Sequence, residues 1–334
     1  MDYTQRTFKT FGDHMNLKTP PTLAVVVPCF NEALSINEAA KKLEHVFTRM
    51  LNDSKIDRQS FIYWVDDGSE DETWELIENL YKKNPAVFKG LKLLKNYGHQ
   101  NALLAGLLAV KDRVDCVISI DADLQQDENA IPQFLKQFED GADIVCGVRI
   151  SRDTDHLLKK ITALGFYWIM QKMGVELIKN HADYRLVSAR VLKVLSEYRE
   201  VNLFLRGIFI EMGFKIVTIP FDVRERYSGE SKYTFKKMLL FALNGITSFS
   251  VMPLRVIAVT GFLTFLTAIS MSLYAIYVSL TNEYAVPGWA STVLPIYILG
   301  GIQLFSIGIV GEYVGKNYIE IKSRPRYVCD CELK

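Results

Sequence analysis

The sequence predicts an α/β domain with a mostly parallel sheet, followed by an amphipathic juxtamembrane helix and a two-helix transmembrane hairpin. Three observations carry this prediction. Short β-branched apolar runs alternate with helical patterns, polar clusters recur just after those runs, and two long uncharged apolar stretches stand near the C-terminal end.

Residues 1–22 mix Asp2, Arg6, Lys9, Asp13, His14 and Lys18 with no apolar run, so they read as a tail without a secretory signal. The domain that follows is therefore expected on the cytoplasmic side. Residues 23–232 read as one domain, since no long linker or internal repeat interrupts them. Leu23–Cys29 (LAVVVPC) is a β-branched strand, and a helical pattern runs from about Ile36 to Leu51. The alternation continues through Phe61–Val65, Trp74–Tyr81, Leu91–Leu94, Ala102–Val110 and Cys116–Ile120. Parallel sheets bind ligands beyond the carboxyl ends of their strands. The polar clusters Asn31-Glu32, Asp66-Asp67-Gly68-Ser69, Asn96-Tyr97-Gly98 and Asp121-Ala122-Asp123 all fall there.

Residues 233–253 form the amphipathic segment: Lys236 and Lys237, with Lys232 just ahead, interleave with Tyr233, Phe235, Met238, Leu239, Leu240 and Leu243, a mixture suited to an anionic leaflet. Residues 254–315 form the hairpin, with spans at about 256–280 and 289–311. Neither run holds a charge, and at about 1.5 Å per residue each can cross a hydrocarbon core of roughly 30 Å. Core helices of soluble proteins rarely stay uncharged for so long. The connector TNEYAVPG lacks Lys and Arg, whereas Arg255 precedes the pair and Lys316, Lys322, Arg324 and Arg326 follow it, so both ends are expected in the cytoplasm. Gly300, Gly301, Gly308 and Gly311 allow close approach of another helix, within the chain or in a homo-oligomer. Residues 316–334 read as a cytoplasmic tail.

Over 334 residues, 39 Lys and Arg stand against 38 Asp and Glu, a net charge of +1 that gives no field for nucleic acid. Of five cysteines, Cys29, Cys116 and Cys146 lie in apolar runs and read as buried thiols of a reducing compartment. Cys329 and Cys331 lack the further ligands that a zinc site needs.

Asp121 and Asp123 end an apolar strand, and alternate carboxylates there suit a hard cation shared with a pyrophosphate; Gln125 adds a carbonyl oxygen. Taken alone, a D-x-D reads better as an ordinary solvated turn; its position behind the fourth strand of the series turns the reading towards the cation. Asp66 and Asp67 offer acceptors for a pyrimidine imide and a ribose, while Ser69 and Glu72 stand at capping-box spacing. The segment SGESKYT lacks the spacing of a P-loop, which disfavours phosphotransfer.

Six segments in order, PCFNE (28–32), VDDGSED (65–71), KNYGHQNALLAGL (95–107), DADLQQD (121–127), DYRLVS (183–188) and RYSGESKY (226–233), resemble the family 2 glycosyltransferases of GT-A, Rossmann-like fold. Within that family the chain is most similar to the polyprenyl-phosphate glycosyltransferases, which include dolichol-phosphate mannose synthases. GEYVGKNY (311–318) and RPRY (324–327) resemble the bactoprenol glucosyltransferase branch. The resemblance implies a multi-pass enzyme of the inner (plasma) membrane that moves a hexose, glucose first, from a UDP-sugar to undecaprenyl phosphate for cell-surface glycan modification. It implies that Pro28, Phe30, Glu32, Asp66 and Asp67 contact the nucleoside, with Asp121 and Ala122 on the donor, and that Asp123 and Gln125 bind Mg²⁺ or Mn²⁺. Arg226 and Lys232 would hold donor phosphates, and Arg149, Arg152 and Ser231 the acceptor phosphate, since Arg grips phosphate oxygens bidentately. Asp183, Asp121 and Arg149 form the implied catalytic set, Asp183 either orienting the reactants or acting as a base.

Two departures stand out: His99 follows Gly98, and Gln126-Asp127 replaces a proline-rich segment. Other donors such as UDP-N-acetylhexosamine, and a non-lipid acceptor, fit the same motifs. A processive polysaccharide synthase is disfavoured, because no Q-x-x-R-W segment is present.

Overall fold

The computed structural model describes residues 19–123, 125–150, 178, 181–201, 203–222, 252–281 and 289–334. The strand β1 (Leu23–Cys29) is uncharged, carries three consecutive valines and is buried along its whole length, as a central strand requires. Its parallel neighbours are β2 (Phe61–Asp66) and β4 (Cys116–Ser119), and β3 (Phe88–Leu93) lies parallel to β2. The helices α1 (Ala33–Asn52), α2 (Thr73–Lys83) and α3 (His99–Val110) connect these strands.

Beyond β4, a short 3₁₀ turn (Glu128–Ala130) and α4 (Ile131–Glu139) lead to β5 (Ile144–Arg149). β6 (His181–Ser188) runs antiparallel between β4 and β5, and β7 (Ile216–Phe221) pairs with β5 in parallel. Two short helices, α5 (Ala189–Leu195) and α6 (Leu205–Glu211), separate β6 from β7. With the C-terminal strand β8 (Cys329–Leu333), the order β7-β5-β6-β4-β1-β2-β3-β8 gives a mixed, mostly parallel sheet, as expected.

Alternate residues of β1 serve opposite cores. Leu23, Val25 and Val27 pack towards α1, α2 and α4, and Ala24 and Val26 towards α3, α5 and α6. Full burial of each such Val or Leu contributes roughly 1.5–3 kcal/mol. Gly106 lets α3 lie close on the sheet: a Cβ there would stand 2.6 Å from both Val26 Cγ1 and Val65 Cγ2. That close approach sets the N-terminus of α3 above the carboxyl ends of β1, β2 and β4.

The C-terminal part holds two long helices, α7 (Met252–Thr281) and α8 (Trp289–Lys322). Among the described residues, Ile298–Lys322 is the one helical stretch long and apolar enough to cross a membrane, while Pro253–Thr264 is a shorter apolar stretch. The expectation of spans at 256–280 and 289–311 is thus met by two helices but by one full-length span. The amphipathic helix expected at 233–253 lies outside the described residues up to 251.

The tail does more than trail into solvent. It returns as β8 (Cys329–Leu333), antiparallel to β3 at the sheet edge, with Leu94 N donating to Val328 O at 2.9 Å. The buried Tyr63 donates its hydroxyl to Glu332 Oε1 at 2.9 Å, and Tyr81 donates to Lys334 O at 2.8 Å. Nothing local in CDCEL announced this strand, because the partner that makes it one lies far away in the chain.

Candidate active site

The loops after β1 and β2 brace each other. Asn31, at φ 52°, donates its amide to Ser69 Oγ at 2.9 Å and accepts from Glu70 N at 2.9 Å through Oδ1. Glu32 N donates to Thr73 Oγ1 at 2.9 Å, and Ser35 donates to the Glu32 carboxylate at 2.6 Å. Pro28, Phe30 and Glu32 are thereby held at the edge of a cleft beyond the strand ends.

Asp66 and Asp67 have different fates. Asp66 is fully buried, accepts from the Ser69 hydroxyl and amide, and does not line the cleft; burial raises its pKa. Asp66 thus builds the loop behind the cleft. The capping box is corrected, because α2 begins at Thr73 with Glu72 at its N-cap and no side-chain cap, while Ser69 is engaged by Asn31 and Asp66. Asp67 does line the cleft. Its two oxygens accept from Tyr97 N at 2.8 Å and Gly98 N at 2.9 Å, and burial outweighs these bonds to raise its pKa. Gly98, at φ 90°, completes the turn that starts α3.

Behind β4, Asp121 is clasped by Gln126, whose Oε1 accepts from Asp121 N at 2.9 Å and whose Nε2 donates to Oδ2 at 2.6 Å. The unusual Gln126 thus orients a site carboxylate. Burial raises the Asp121 pKa, against the pull of His99. Asp123 Oδ1 accepts from Gln125 N at 3.1 Å, and both residues line the cleft with Ala122. Among the described residues no three His, Cys, Asp or Glu side chains converge as a complete metal cage. A carboxylate and an amide carbonyl facing an open cleft nevertheless fit Mg²⁺ or Mn²⁺, which take one or two carboxylates and complete their shell with water and phosphate.

Asp183, on β6 beside β4, lines the same cleft. Arg206 reaches it with both ends of its fork, Nε to Oδ1 at 3.1 Å and Nη2 to Oδ2 at 2.8 Å, and the fully buried Arg185 also donates to Oδ1. Burial alone would raise the Asp183 pKa, but Arg206, His99 and Arg185 outweigh it and hold the carboxyl well below the usual range. His99 Nε2 stands 3.8 Å from Asp121 Oδ1 and 3.7 Å from Asp183 Oδ2. Burial would lower its pKa, yet the Asp183 and Asp121 carboxylates push it up to about 9.

One cleft of ≈ 380 Å³ thus gathers Pro28, Phe30, Glu32, Asp67, Asp121 and Ala122 with Asp123, Gln125, Arg149 and Asp183. That size lies within the roughly 300–1,000 Å³ of small-molecule sites. Arg152, Arg226, Ser231 and Lys232 lie outside the described residues. Arg206 lines the cleft and was not among the expected residues; its only signal was a lone charge inside the apolar run LFLRGIFI.

The model of Glycosyl transferase family 2 matches residues 24–193, and that of the GtrB C-terminal hairpin matches residues 252–316. The chain is 48% identical over 316 residues to the uncharacterized glycosyltransferase YkoT of Bacillus subtilis (strain 168), covering 95% of this chain and 93% of that one. It is 36% identical over 307 residues to the bactoprenol glucosyl transferase of Shigella phage SfX, covering 92% and 98% of the two chains. A prophage bactoprenol glucosyl transferase homolog of Escherichia coli (strain K12) is 35% identical over 307 residues, covering 92% and 97%. Since relatives of this likeness align along nearly its whole length, the chain belongs to glycosyl transferase family 2 and is a glycosyltransferase.

Proposed function

We propose that this enzyme transfers a hexose, glucose as first choice, from a UDP-sugar to undecaprenyl phosphate at the cytoplasmic face of the inner membrane, with inversion at the anomeric carbon. The observation that carries the reading is the convergence of Asp67, Asp121 and Asp123 with Arg149, Asp183 and Arg206 in one cleft. Bactoprenol glucosyl transferases among the relatives support the lipid acceptor and the sugar.

Pro28, Phe30, Glu32 and Asp67 take the nucleoside, with Asp121 and Ala122 along the donor and Arg226 and Lys232 on its phosphates. Arg149, with Arg152 and Ser231, takes the acceptor phosphate. A phosphate monoester with its second pKa near 6 is largely dianionic at neutral pH, so its oxygen needs no strong base. That oxygen forms the new bond to the anomeric carbon as the bond to the nucleoside diphosphate breaks and its electrons leave with the diphosphate. The depressed pKa of Asp183 supports an orienting role rather than proton removal. Asp123 and Gln125 would hold a Mg²⁺ or Mn²⁺ that offsets charge on the departing diphosphate when bound. Catalysis rests on positioning and charge.

The membrane reading draws on two further features. Large apolar side chains of α7 and α8 stand exposed, among them Val259, Leu263, Ile296 and Ile307, a pattern that an apolar medium would satisfy. The chain also leaves the sheet after β7 and rejoins it as β8, which supports an even number of crossings, as two spans give; the Arg and Lys that flank the pair support the cytoplasmic side for the domain.

The test is a panel of radiolabelled nucleotide sugars incubated with membranes holding the full chain and polyprenyl phosphate, with and without a chelator. Label from UDP-glucose is expected in the organic extract and lost on chelation. Label from another sugar in that extract would replace the donor; label confined to the aqueous phase would overturn the lipid acceptor; label that survives chelation would overturn the metal.

A further inference from the structure

His99 reaches its place through a chain of constraints. Asp67 holds the amides of Tyr97 and Gly98, and the close packing of α3 at Gly106 fixes the axis of the helix that His99 begins. The imidazole is thereby delivered to the cleft beyond the ends of the paired strands β4 and β6. There it meets two carboxylates that are each gripped from elsewhere: Asp121 by Gln126, and Asp183 by Arg185 and Arg206. His99 faces both, at 3.8 and 3.7 Å.

The two carboxylates come from different elements. Asp121 follows β4, and Asp183 lies near the start of the neighbouring β6, where Arg206 of α6 grips it. Two anions facing one gap repel, and the effect grows where water is displaced. A side chain kept only for packing would be buried like its neighbours Ala102 and Leu103, yet 44% of the His99 side chain remains exposed in the cleft. Nor is it required to satisfy Asp183, which already accepts from two arginines.

We propose that His99 is a positioning residue of sugar transfer, spanning Asp121 and the Asp183–Arg206 pair and so fixing the separation at which donor and acceptor meet. It acts through these carboxylates and need not touch the bond-forming atoms. The inference rests on the proposed transfer reaction and adds to it the residue that sets the alignment. A misplacement of about 1 Å in such an alignment costs up to about 10²-fold in rate.

The experiment compares the purified full chain with His99→Ala and His99→Lys, using UDP-glucose and polyprenyl phosphate. It follows kcat, the KM for donor and the thermal unfolding midpoint. His99→Ala is expected to lose about 10–100-fold in kcat with donor KM within about threefold. Its midpoint should move by no more than about 4 °C. His99→Lys, which restores a cation of comparable reach, should recover part of the lost kcat. An unchanged kcat in His99→Ala would overturn the inference alone. So would a joint fall of kcat and midpoint that His99→Lys does not relieve, since that marks a purely structural role. Wild-type protein that transfers no sugar to lipid phosphate would overturn the transfer reaction, and the inference with it.

Discussion

In β1 all 7 residues are buried, whereas on α7 and α8 Phe262 (60%), Leu273 (62%), Phe305 (69%) and Leu304 (73%) stand exposed. Charges divide the other way. In the sheet domain Asp183 and Arg185 are buried together, while Val256 to Leu280 holds no charge at all. The sheet domain satisfies its apolar surface by its own packing and its buried charges by pairing. The large apolar side chains described on the helices stand exposed instead, so the same apolar residue is a core element in one region and a contact with an outside medium in the other.

Arg185→Met would break the sheet side of this contrast most severely. It leaves Asp183 buried with one arginine fewer, and removal of one partner from a buried pair costs about 3 kcal/mol or more. A lowered thermal unfolding midpoint of the full chain in detergent is expected; an unchanged midpoint would show that Arg185 is not needed to balance Asp183.

Leu304→Arg probes the helix side. At a site this exposed in water the change would be worth no more than about 0.5 kcal/mol, whereas at the centre of a bilayer helix it costs about 2.5–3.5 kcal/mol. Loss of protein from the membrane fraction is expected. Full recovery there would mean that this position lies outside the hydrocarbon.

Glu332→Ala sharpens the link between the two regions. The variant leaves the hydroxyl of buried Tyr63 without its acceptor, at a cost of about 1–3 kcal/mol, and loosens the strand through which the chain returns from α8. Faster proteolysis of the tail in Glu332→Ala than in the wild type is the expected readout.

The smallest effect is a pH dependence of stability. The raised pKa of His99 stabilises the fold fully below its ordinary value near 6.5, and this contribution is lost as pH rises through about 9. The depressed pKa of Asp183 acts oppositely: its contribution is present above about 4 and lost as pH falls further. The unfolding midpoint should decline between pH 6.5 and 9 in the wild type, and less in His99→Gln. Parallel curves would remove His99 as the cause.

The sequence made the parallel part of the sheet legible. Strand and helix patterns from Leu23 to Ile120 were local, and the structure shifts their ends by only a few residues. The cleft residues after β1, β2 and β4 were legible for the same reason, because strand ends in a parallel sheet are where polar side chains gather. Non-local partners were not. β6 runs antiparallel through a stretch that carries His181, Asp183 and Arg185 and so offers no apolar run to read, and β8 is made by its pairing with β3. Asp66 and Asp67 are adjacent and chemically alike, yet only coordinates separate the loop-building carboxylate from the cleft-lining one. Arg206 escaped notice because a helix built for the core carries it.

The most direct test compares organic-extractable label from UDP-glucose in membranes holding wild-type chain with that in membranes holding Asp123→Asn. Asp123 lines the cleft and is proposed to hold the cation that offsets the donor diphosphate; loss of such an electrostatic contact costs about 10²–10³-fold in rate. The account predicts robust lipid-linked label with the wild type and a loss of that order with the variant. Equal labelling by the two proteins would contradict it.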